Sequence, residues 1–406
     1  MRAYERFLKY VTIYTTSDEE STTHPSTARQ FDLAHLLVAQ LKELGVADAA
    51  VDDKCYVYGT LPATPGYEEK PALGFVSHMD TAPAAPGENV KPQVFENYDG
   101  GDVLFAGTGE YMTVEKFPEL ANWKGQTLIT ADGTTLLGAD DKAGIAEIMT
   151  AVERIQKENI AHGKICIGFT PDEEVGQGAD FFDVDRFGAQ FAYTVDGGDV
   201  GELEYQNFNA ADAVVTVHGF SVHPGSAKDL MKNAQTIAME FVAALPAEEV
   251  PEHTEGFEGF FHLYQMSGDV TTAKLHYIIR DHDGEKFAAR KALMEEITAR
   301  LNAEHGAGTV VLELKDSYYN MEEKVKPHFH LIENAEKAIR KAGLEAHIVP
   351  IRGGTDGARL SFMGLPCPNL GTGGFNFHGP CEYITAEKMD KSVEIILNII
   401  AIYAEN

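Results

Sequence analysis

Two neighbouring carboxylates, Asp140 and Asp141, follow the apolar pair Leu136 and Leu137. The apolar residues after them recur at helical spacing and predict an amphipathic helix: Ile145, Ile148, Met149, Val152 and Ile155. Adjacent carboxylates at the turn into a helix repel each other, and a bound cation neutralises them better than a hydrogen bond does. The pair therefore predicts a metal site, with simple capping of the helix by one of the acids as the alternative.

Side chains that bind metals also stand at the ends of the predicted strands. Four strand-like segments finish in His78 and Asp80, in Asp140, in Glu173 and Glu174, and in Asp196. In open α/β sheets the ligand crevice lies at the carboxyl ends of the strands, so these residues should converge on one site. Chance could place one acid after one strand, but it explains four such endings poorly.

The types of donor atom narrow the choice of metal. Carboxylate oxygen together with imidazole nitrogen suits Zn²⁺, Mn²⁺ or Co²⁺. Such a site needs a second histidine, and we expect this to be His378, which glycine and proline residues hold in a tight loop. The nearby Cys381 is not expected to be a ligand, because a set rich in carboxylates needs no thiolate.

Length, charge and cysteine content limit the classes of function. A chain of 406 residues should form two or three domains. It has no run of about 18 apolar residues and no signal-peptide pattern, so we expect a soluble, cytoplasmic protein. Four irregularly spaced cysteines favour a reducing compartment. A net charge of −30 disfavours nucleic acid and anionic membranes as partners and leaves small molecules, cations and peptides.

The order of the predicted elements indicates an α/β fold with an inserted domain. From about residue 211 to 315 the pattern predicts strand, helix, two strands, helix and strand, which is the ferredoxin-like α+β arrangement. The ends of such a unit lie close together, so it can be inserted into another domain. We therefore predict a discontinuous catalytic domain, residues 1–208 and 320–406, and an inserted lid domain, residues 209–319. A long polar loop is expected at about 83–123.

The metal-binding segments occur in the order found in a known family. They are Ser77-His78-Met79-Asp80, Gly138-Ala139-Asp140-Asp141-Lys142-Ala143-Gly144, Asp172-Glu173-Glu174, Val195-Asp196-Gly197 and Phe377-His378-Gly379-Pro380. In these motifs and along its whole length the chain resembles the dinuclear zinc metallopeptidase family that includes aminoacylase and glutamate carboxypeptidase, and within it the tripeptide aminopeptidases. The resemblance implies a mixed-sheet catalytic domain of the zinc exopeptidase type. It also implies two divalent metal ions, Zn²⁺ first, with Mn²⁺ or Co²⁺ as alternatives.

The resemblance gives five residues a role as metal ligands. Asp140 would bridge the two metals. His78 and Asp196 would complete one coordination sphere, and Glu174 and His378 would complete the other. The resemblance also implies that the peptide bond after Asp140 is cis.

Two further acids in these segments are expected to act in catalysis. Glu173 should take a proton from water as a general base and return it to the leaving amine as a general acid, because its neighbour Glu174 is occupied on a metal. Asp80 can accept the other imidazole N–H of His78 and so orient that ligand. For Glu173 the alternative is a solvent-exposed acid that merely stands beside a ligand.

Three residues are expected to bind the substrate. The segment around His223 matches a family segment whose histidine reaches toward the substrate, where it could donate a hydrogen bond to the oxyanion. Arg280 and Arg352 could bind a peptide carboxylate through the guanidinium fork. The alternatives are an ordinary turn histidine and, for each arginine, a structural ion pair.

The expected function is that of a metal-dependent aminopeptidase acting on short peptides. The metal chemistry follows from the residues, whereas the preference for tripeptides rests on the resemblance alone. An N-acyl amino acid deacylase or a carboxypeptidase of the same family is the alternative within hydrolysis. A metal-dependent binding protein without catalysis is the alternative outside it. Small peptides are the expected partners, and a homodimer is compatible with the resemblance.

Overall fold

The computed structural model describes residues 1–405, and these form two compact units. The first unit comprises residues 1–205, 323–349 and the chain from 355 onwards; the second unit comprises residues 206–322 and 350–354. The sequence prediction had the first domain end at 208 and resume at 320, and it assigned 350–354 to the catalytic domain. The predicted division and the lid role of the inserted domain stay predictions.

Helices and strands follow one another along the whole chain. Up to residue 205 they are α1 (Ala3–Tyr10), α2 (Gln30–Glu43), β1 (Ala50–Val51), β2 (Val57–Leu61), β3 (Leu73–His78), β4 (Gln93–Phe95), β5 (Val103–Leu104), β6 (Tyr111–Met112), β7 (Leu128–Thr130), α3 (Ala139–Glu158), β8 (Ile165–Thr170), α4 (Val184–Phe187), β9 (Phe191–Gly197) and β10 (Glu202–Glu204). The second unit then contributes β11 (Asn209–His218), α5 (Ala234–Ala244), β12 (Phe260–Gly268), β13 (Thr272–Asp281), α6 (Gly284–His305) and β14 (Val310–Tyr318). The chain continues with α7 (Glu322–Val325), α8 (His330–Lys341), β15 (His347–Ile348), α9 (Asp356–Phe362), β16 (Asn369–Gly371), β17 (Gly374–Phe375), β18 (Tyr383–Thr385) and α10 (Ala386–Glu405). Short 3-10 helices lie at Pro118–Trp123, Glu173–Val175, Pro224–Ser226, Pro251–His253 and Lys326–His328.

An eight-stranded mixed sheet runs through the first unit in the order β1-β2-β8-β3-β9-β16-β10-β15. Strands β8, β3, β9 and β16 run parallel, whereas β2 pairs antiparallel with β8 and β10 pairs antiparallel with β16. All residues of β3 and β8 are buried, as expected for central parallel strands that are covered on both faces. The predicted mixed-sheet α/β fold is confirmed.

The central parallel strands of this sheet end beside one another. His78, the last residue of β3, pairs with Thr170, the last residue of β8. Helix α3 packs against β3 and β9, and Gly144 permits this close approach. A Cβ atom at Gly144 would lie 1.9 Å from the carbonyl oxygen of Val195, far inside van der Waals contact. The start of α3 is thereby held at the carboxyl edge of the sheet.

The second unit contains a four-stranded antiparallel sheet in the order β12-β13-β11-β14. Helices α5 and α6 pack on this sheet over one apolar core. Along β13 the buried residues alternate with more exposed ones, which is typical of an antiparallel sheet covered on one face. Strand order and helix placement are ferredoxin-like, so the predicted architecture of the inserted domain is confirmed.

The segment predicted as a long polar loop, residues 83–123, contains regular structure. Strand β4 belongs to a four-stranded sheet with the order β17-β18-β7-β4, and β5 and β6 form a two-stranded sheet. These strands have only two or three residues. Strands of that length are too short to show the alternation of apolar and polar residues by which a strand is predicted.

Two features of the chain bear on its expected surroundings. Within residues 1–405 no helix combines the length and the apolar character needed to cross a membrane. All four cysteines carry free thiols, and Cys55, Cys166 and Cys367 are buried.

Candidate active site

In the Asp140–Asp141 turn, one acid has the contacts of a helix cap and the other has the position expected of a metal ligand. Both residues have non-helical backbone angles, and the peptide bond between them is cis, as the resemblance implies. The buried Asp141 carboxylate accepts the N–H of Gly144 at 3.2 Å, which is the contact an N-cap makes. It also accepts hydrogen bonds from the Ser77 hydroxyl and the His78 N–H. Asp141 therefore caps the helix, and Asp140 is left to face the histidines.

Asp140 lies between two histidines from distant parts of the chain. Its Oδ1 is 2.9 Å from His78 Nε2, and its Oδ2 is 3.0 Å from His378 Nε2. Asp196 Oδ1 lies 3.3 Å from the same nitrogen of His78, and Glu174 Oε2 lies 3.0 Å from that of His378. The five predicted ligands thus form two groups, each with one histidine and one further acid, that share Asp140. Their role as ligands stays a prediction.

Each of these five residues comes from a different element. His78 ends β3, Asp140 stands at the start of α3, and Asp196 lies near the end of β9. Glu174 lies in the 3-10 helix after β8, and His378 lies between β17 and β18. His78, Glu174 and Asp196 thus stand at the ends of the neighbouring strands β3, β8 and β9 of one sheet, as the sequence predicts. The prediction that a strand ends at Asp140 is wrong, because no strand lies between β7, which ends at Thr130 in another sheet, and α3.

When no cation is bound, protons on the histidines and acids offset the negative charge of this cluster. Burial alone would raise the pKa of Asp140, but hydrogen bonds from His378 and His78 lower it. Burial raises the pKa of Glu174 to about 7 and that of Asp196 to about 6. Hydrogen bonds to Asp140 and Glu174 raise the pKa of His378 to about 11. Divalent cations could replace the imidazole protons, because metal binding requires neutral histidines and ionised acids.

One carboxylate oxygen in the cluster has no hydrogen-bond partner among the described residues. Glu174 Oε1 is buried and has no hydrogen-bond partner in the part of the chain that the structure describes. A buried carboxylate oxygen without a partner lowers the free energy of unfolding, so such atoms are normally hydrogen-bonded or bound to a metal. The donor set and this oxygen both fit a cation.

Asp80 connects the first histidine with the acid pair Glu173–Glu174. Its Oδ1 accepts the N–H of Glu173 at 3.0 Å, and its Oδ2 accepts the N–H of Glu174 at 3.2 Å. The same carboxylate lies 3.3 Å from His78 Nδ1, and the backbone carbonyl oxygen of Asp80 lies 3.1 Å from this nitrogen. A proton held on Nδ1 leaves Nε2 free to face Asp140 and a metal. The structure thus places Asp80 where it can orient both a ligand and the predicted general base.

Glu173 differs from its neighbour Glu174 in its contacts. Its side chain is half-buried, and its carboxylate makes no hydrogen bond or ion pair with any residue between 1 and 405. Burial, and next the charge of Asp196, raise the pKa of Glu173 well above its ordinary value. Its position beside the cluster agrees with the predicted catalytic role, which stays a prediction.

Sequence reasoning missed Glu382, which supports the Asp140 turn. This buried carboxylate accepts the N–H groups of Leu137 and Gly138 at 2.8 Å and that of Asp140 at 3.0 Å. It lies on the same loop as His378, so one segment provides a predicted ligand and fixes another. The only sequence feature that could have indicated it is an acid four residues after the loop histidine.

The predicted substrate-binding residues lie in the second unit. The exposed His223 accepts the N–H of Gly225 on Nδ1 at 3.1 Å. Arg280 donates to the carbonyl of Arg352 at 3.0 Å. Arg352 in turn donates to the carbonyl oxygens of Gly256, at 2.8 Å, and Glu258, at 3.0 Å. Neither arginine forms an ion pair with the described residues, and the substrate role of all three stays a prediction.

Comparison with known proteins gives a family for the whole chain. Residues 205–309 match the M20 family model described as a peptidase dimerisation domain. Over 402 residues the chain is 56% identical to peptidase T of Clostridium novyi, covering 98% of both chains. Over 403 residues it is 55% identical to peptidase T of Geobacillus kaustophilus, covering 99% of this chain and 98% of the relative.

Solved structures agree with these sequence relatives. The aminopeptidase PepT of Bacillus cereus superposes with a TM-score of 0.78 at 25% identity, and it covers 100% of this chain and 98% of its own. A tripeptidase of Staphylococcus aureus superposes with a TM-score of 0.79 at 25% identity and the same coverage. The resemblance inferred from the five motifs is therefore confirmed, and the chain belongs to the peptidase T family.

Proposed function

We propose that this protein is a metal-dependent aminopeptidase that hydrolyses the N-terminal peptide bond of short peptides, with tripeptides as the preferred substrates. The observation that carries the proposal is the Asp140 carboxylate shared between His78 and His378, with a second acid beside each histidine. The relatives named peptidase T, aminopeptidase and tripeptidase favour this reaction over that of a deacylase or a carboxypeptidase.

The residues present fit two divalent cations. Asp140 would help to hold both ions. His78 and Asp196 would hold one of them, and Glu174 and His378 would hold the other. The mixture of imidazole and carboxylate favours Zn²⁺, with Mn²⁺ or Co²⁺ as alternatives. When bound, such a pair of ions polarises the scissile carbonyl and lowers the pKa of water toward neutrality.

Proton transfer is the task of Glu173 in this proposal. Its carboxylate has no hydrogen-bond or ion-pair partner within residues 1–405 to give up, so it can accept the proton of the attacking water and deliver it to the leaving amine. The backbone N–H groups of Glu173 and Glu174 are both fixed on Asp80. Asp80 also keeps a proton on His78 Nδ1, which directs Nε2 toward Asp140.

Substrate binding is assigned to groups that retain an unused donor. His223 uses Nδ1 in its own turn, which leaves the N–H on Nε2 available for an oxyanion. The Nε of Arg280 is buried and has no partner among the described residues, so it could donate to a peptide carboxylate. Arg352 donates from Nη1 to the carbonyls of Gly256 and Glu258 and from Nη2 to the carbonyl and hydroxyl of Thr254. Only its Nε–H would therefore be left for a substrate.

The proposal includes a cytoplasmic homodimer. Four free thiols, three of them buried, suit a reducing compartment. The match of residues 205–309 to a peptidase dimerisation domain supports association of two copies through the second unit. Light scattering of the purified protein would measure the mass of the assembly, and a monomer at all concentrations would contradict the dimer.

The experiment that tests the proposal compares free and blocked peptides. The purified protein, loaded with Zn²⁺, Mn²⁺ or Co²⁺, is given a dipeptide, a tripeptide, a tetrapeptide and the N-acetylated tripeptide, and the products are identified by mass. We expect the free tripeptide to lose its N-terminal residue fastest and the acetylated one to resist. Faster hydrolysis of the blocked peptide would favour a deacylase or a carboxypeptidase, and the product would distinguish these. Metal binding without any hydrolysis would favour a non-catalytic protein.

A further inference from the structure

A second buried acid lies at the turn that carries Glu173. Asp172 immediately precedes it, is fully buried, and has a positive φ of 56°. A residue other than glycine rarely adopts this left-handed conformation, and it costs free energy that neighbouring contacts must offset. The direction in which the next side chain points depends on this backbone angle. Whatever holds Asp172 therefore also sets the direction of Glu173.

Gln30, the first residue of α2, holds Asp172 at two points. Its Nε2 donates to Asp172 Oδ1 at 2.6 Å, and its Oε1 accepts the backbone N–H of Asp172 at 3.1 Å. One amide group thus fixes the side chain and the main chain of the same residue. Ser26 adds two more donors, its N–H at 2.6 Å and its hydroxyl at 2.5 Å from the carboxylate oxygens. Gln30 is itself fully buried.

Together with Asp80, this contact fixes three successive backbone N–H groups. Gln30 accepts the N–H of Asp172, and the Asp80 carboxylate accepts those of Glu173 and Glu174. The two supports reach the turn from different parts of the chain, helix α2 and the end of β3. None of these contacts uses the Glu173 carboxylate. The turn is therefore held by its backbone while that carboxylate stays free to react.

We infer that Gln30 is a positioning residue for Glu173, acting through the backbone and side chain of Asp172. This inference rests on the proposed function, because it gives Glu173 the role of the general base. It makes the start of α2 part of the catalytic apparatus, although Gln30 touches neither the predicted metal ligands nor Glu173. A base displaced by about 1 Å can lose on the order of 100-fold in rate.

The first test replaces the amide and keeps a side chain of similar size. Gln30→Leu should lower kcat by up to about 100-fold while KM and the metal content stay close to wild type, because binding groups and ligands are untouched. Gln40→Leu is the matched control, since Gln40 lies on the same helix and accepts a hydrogen bond from the Tyr10 hydroxyl. Its loss should affect thermal stability and leave kcat per folded molecule unchanged.

The second test exchanges the partners and does not depend on the leucine variant folding. Gln30→Glu places two carboxylates together. Asp172→Asn replaces one acceptor oxygen with an NH₂ group, which must face a donor of either Gln30 or Ser26. Each single variant should therefore lose kcat. In the double variant the new amide at position 172 can donate to the new carboxylate at position 30, and this carboxylate can also accept the backbone N–H of residue 172. We expect kcat of the double variant to recover above both single variants, which a non-specific loss of stability would not produce.

A structural readout separates this inference from the proposed reaction. Crystal structures of wild type and Gln30→Leu should show the Glu173 carboxylate displaced while His78, Asp140 and His378 keep their places. A coincident Glu173 carboxylate, or an unchanged kcat, or a double variant no better than the singles, would each overturn the inference. Absence of peptide hydrolysis by the wild type would contradict only the proposed function, since the position of Glu173 can still be compared.

Discussion

The candidate metal centre contains two pairs of neighbouring acids, and the pairs differ in the hydrogen bonds that their carboxylates accept. In Asp140–Asp141 the residue that does not face the histidines accepts three hydrogen bonds, from a hydroxyl and two backbone N–H groups. In Glu173–Glu174 the corresponding carboxylate of Glu173 accepts none from residues 1–405, and Glu173 is held only through its backbone N–H. The same sequence pattern therefore yields an acid whose carboxylate is hydrogen-bonded in one place and, in the other, the acid without such bonds that we predict to be the general base.

From this difference we expect that the number of hydrogen bonds a buried acid accepts decides whether it can take part in proton transfer. To accept a proton, Asp141 would have to give up a donor from Ser77 or His78, which fix β3 to α3, or from Gly144 within α3, at a cost of about 1–3 kcal/mol for each buried group left unpaired. Glu173 gives up nothing in the protein when it binds a proton. Residue type and position beside a ligand are alike in the two pairs, so neither could have separated the roles.

The strongest test of the comparison is Glu173→Gln. The amide keeps the size of the side chain but cannot take a proton from water, so we expect kcat to fall by about 100-fold to 10,000-fold. Metal content, measured on the same preparation, should match wild type. Glu43→Gln, an exposed residue at the end of α2, is the control and should be neutral. Hydrolysis at the wild-type rate would remove Glu173 from the mechanism.

Asp80→Asn should weaken metal binding, because Asp80 faces donors only. It accepts from the N–H groups of Glu173 and Glu174 and stands against His78 Nδ1, so an amide NH₂ would oppose one of them. We expect the affinity for the metal to fall by about 10-fold to 100-fold, measured by competition with a chelator. The exposed Asp185→Asn serves as the control. An unchanged affinity would argue that His78 needs no support from Asp80.

Asp141→Asn should act on stability more than on chemistry. The amide NH₂ would face a donor, and we expect the free energy of unfolding to fall by about 1–3 kcal/mol in denaturant titrations. Glu173→Gln should leave this free energy nearly unchanged. Asp141→Asn should therefore lose more stability than Glu173→Gln, and Glu173→Gln should lose more activity than Asp141→Asn. If Asp141→Asn lost as much kcat per folded molecule as Glu173→Gln, the number of accepted hydrogen bonds would not be what separates the two acids.

The sequence predicted the residues whose position follows from the sheet. His78 and Asp196 end or nearly end parallel strands, and the carboxyl ends of such strands must share one edge. His378 was found because its donor type was missing from the set. The ferredoxin-like order of the second unit followed from apolar periodicity in elements of nine residues or more.

What the sequence did not predict are contacts between side chains and distant backbone. Glu382 holds backbone N–H groups more than 240 residues away, and Gln30 holds Asp172. Every residue except proline offers such an N–H, so no residue type at the far end marks the partner. The same reason applies to the segment 350–354, which groups with the second unit. Arg352 in this segment contacts carbonyl oxygens of that unit, which leave no pattern in the sequence.

The smallest expected effect is on the pH dependence of thermal stability, and it arises from three of the predicted metal ligands. In the metal-free protein the pKa values of Glu174, about 7, and Asp196, about 6, exceed the ordinary 4.5 and 3.8, and that of His378, about 11, exceeds 6.5. The folded state thus holds more protons than the unfolded state in these windows, and its stability falls as pH rises through them. A bound cation takes the place of those protons. The rise in Tm on adding Zn²⁺ should therefore grow by several degrees from about pH 5 to about pH 8.

The comparison of pairs sharpens this expectation. Asp141 is not one of the five predicted ligands, although one of its carboxylate oxygens lies within 4.8 Å of ligand atoms of His78 and Asp196. Because hydrogen bonds hold its carboxylate, we expect Asp141→Asn to keep the pH dependence of the Zn²⁺-induced rise in Tm, at a lower Tm throughout. Glu174→Gln removes a predicted ligand whose protonation should be linked to cation binding, so the rise should become smaller and depend less on pH. Equal pH dependence in both variants would mean that the exchange of protons for the cation does not take place at the predicted ligands. The assignment of Glu174 as a ligand and of Asp141 as a structural acid would then be wrong.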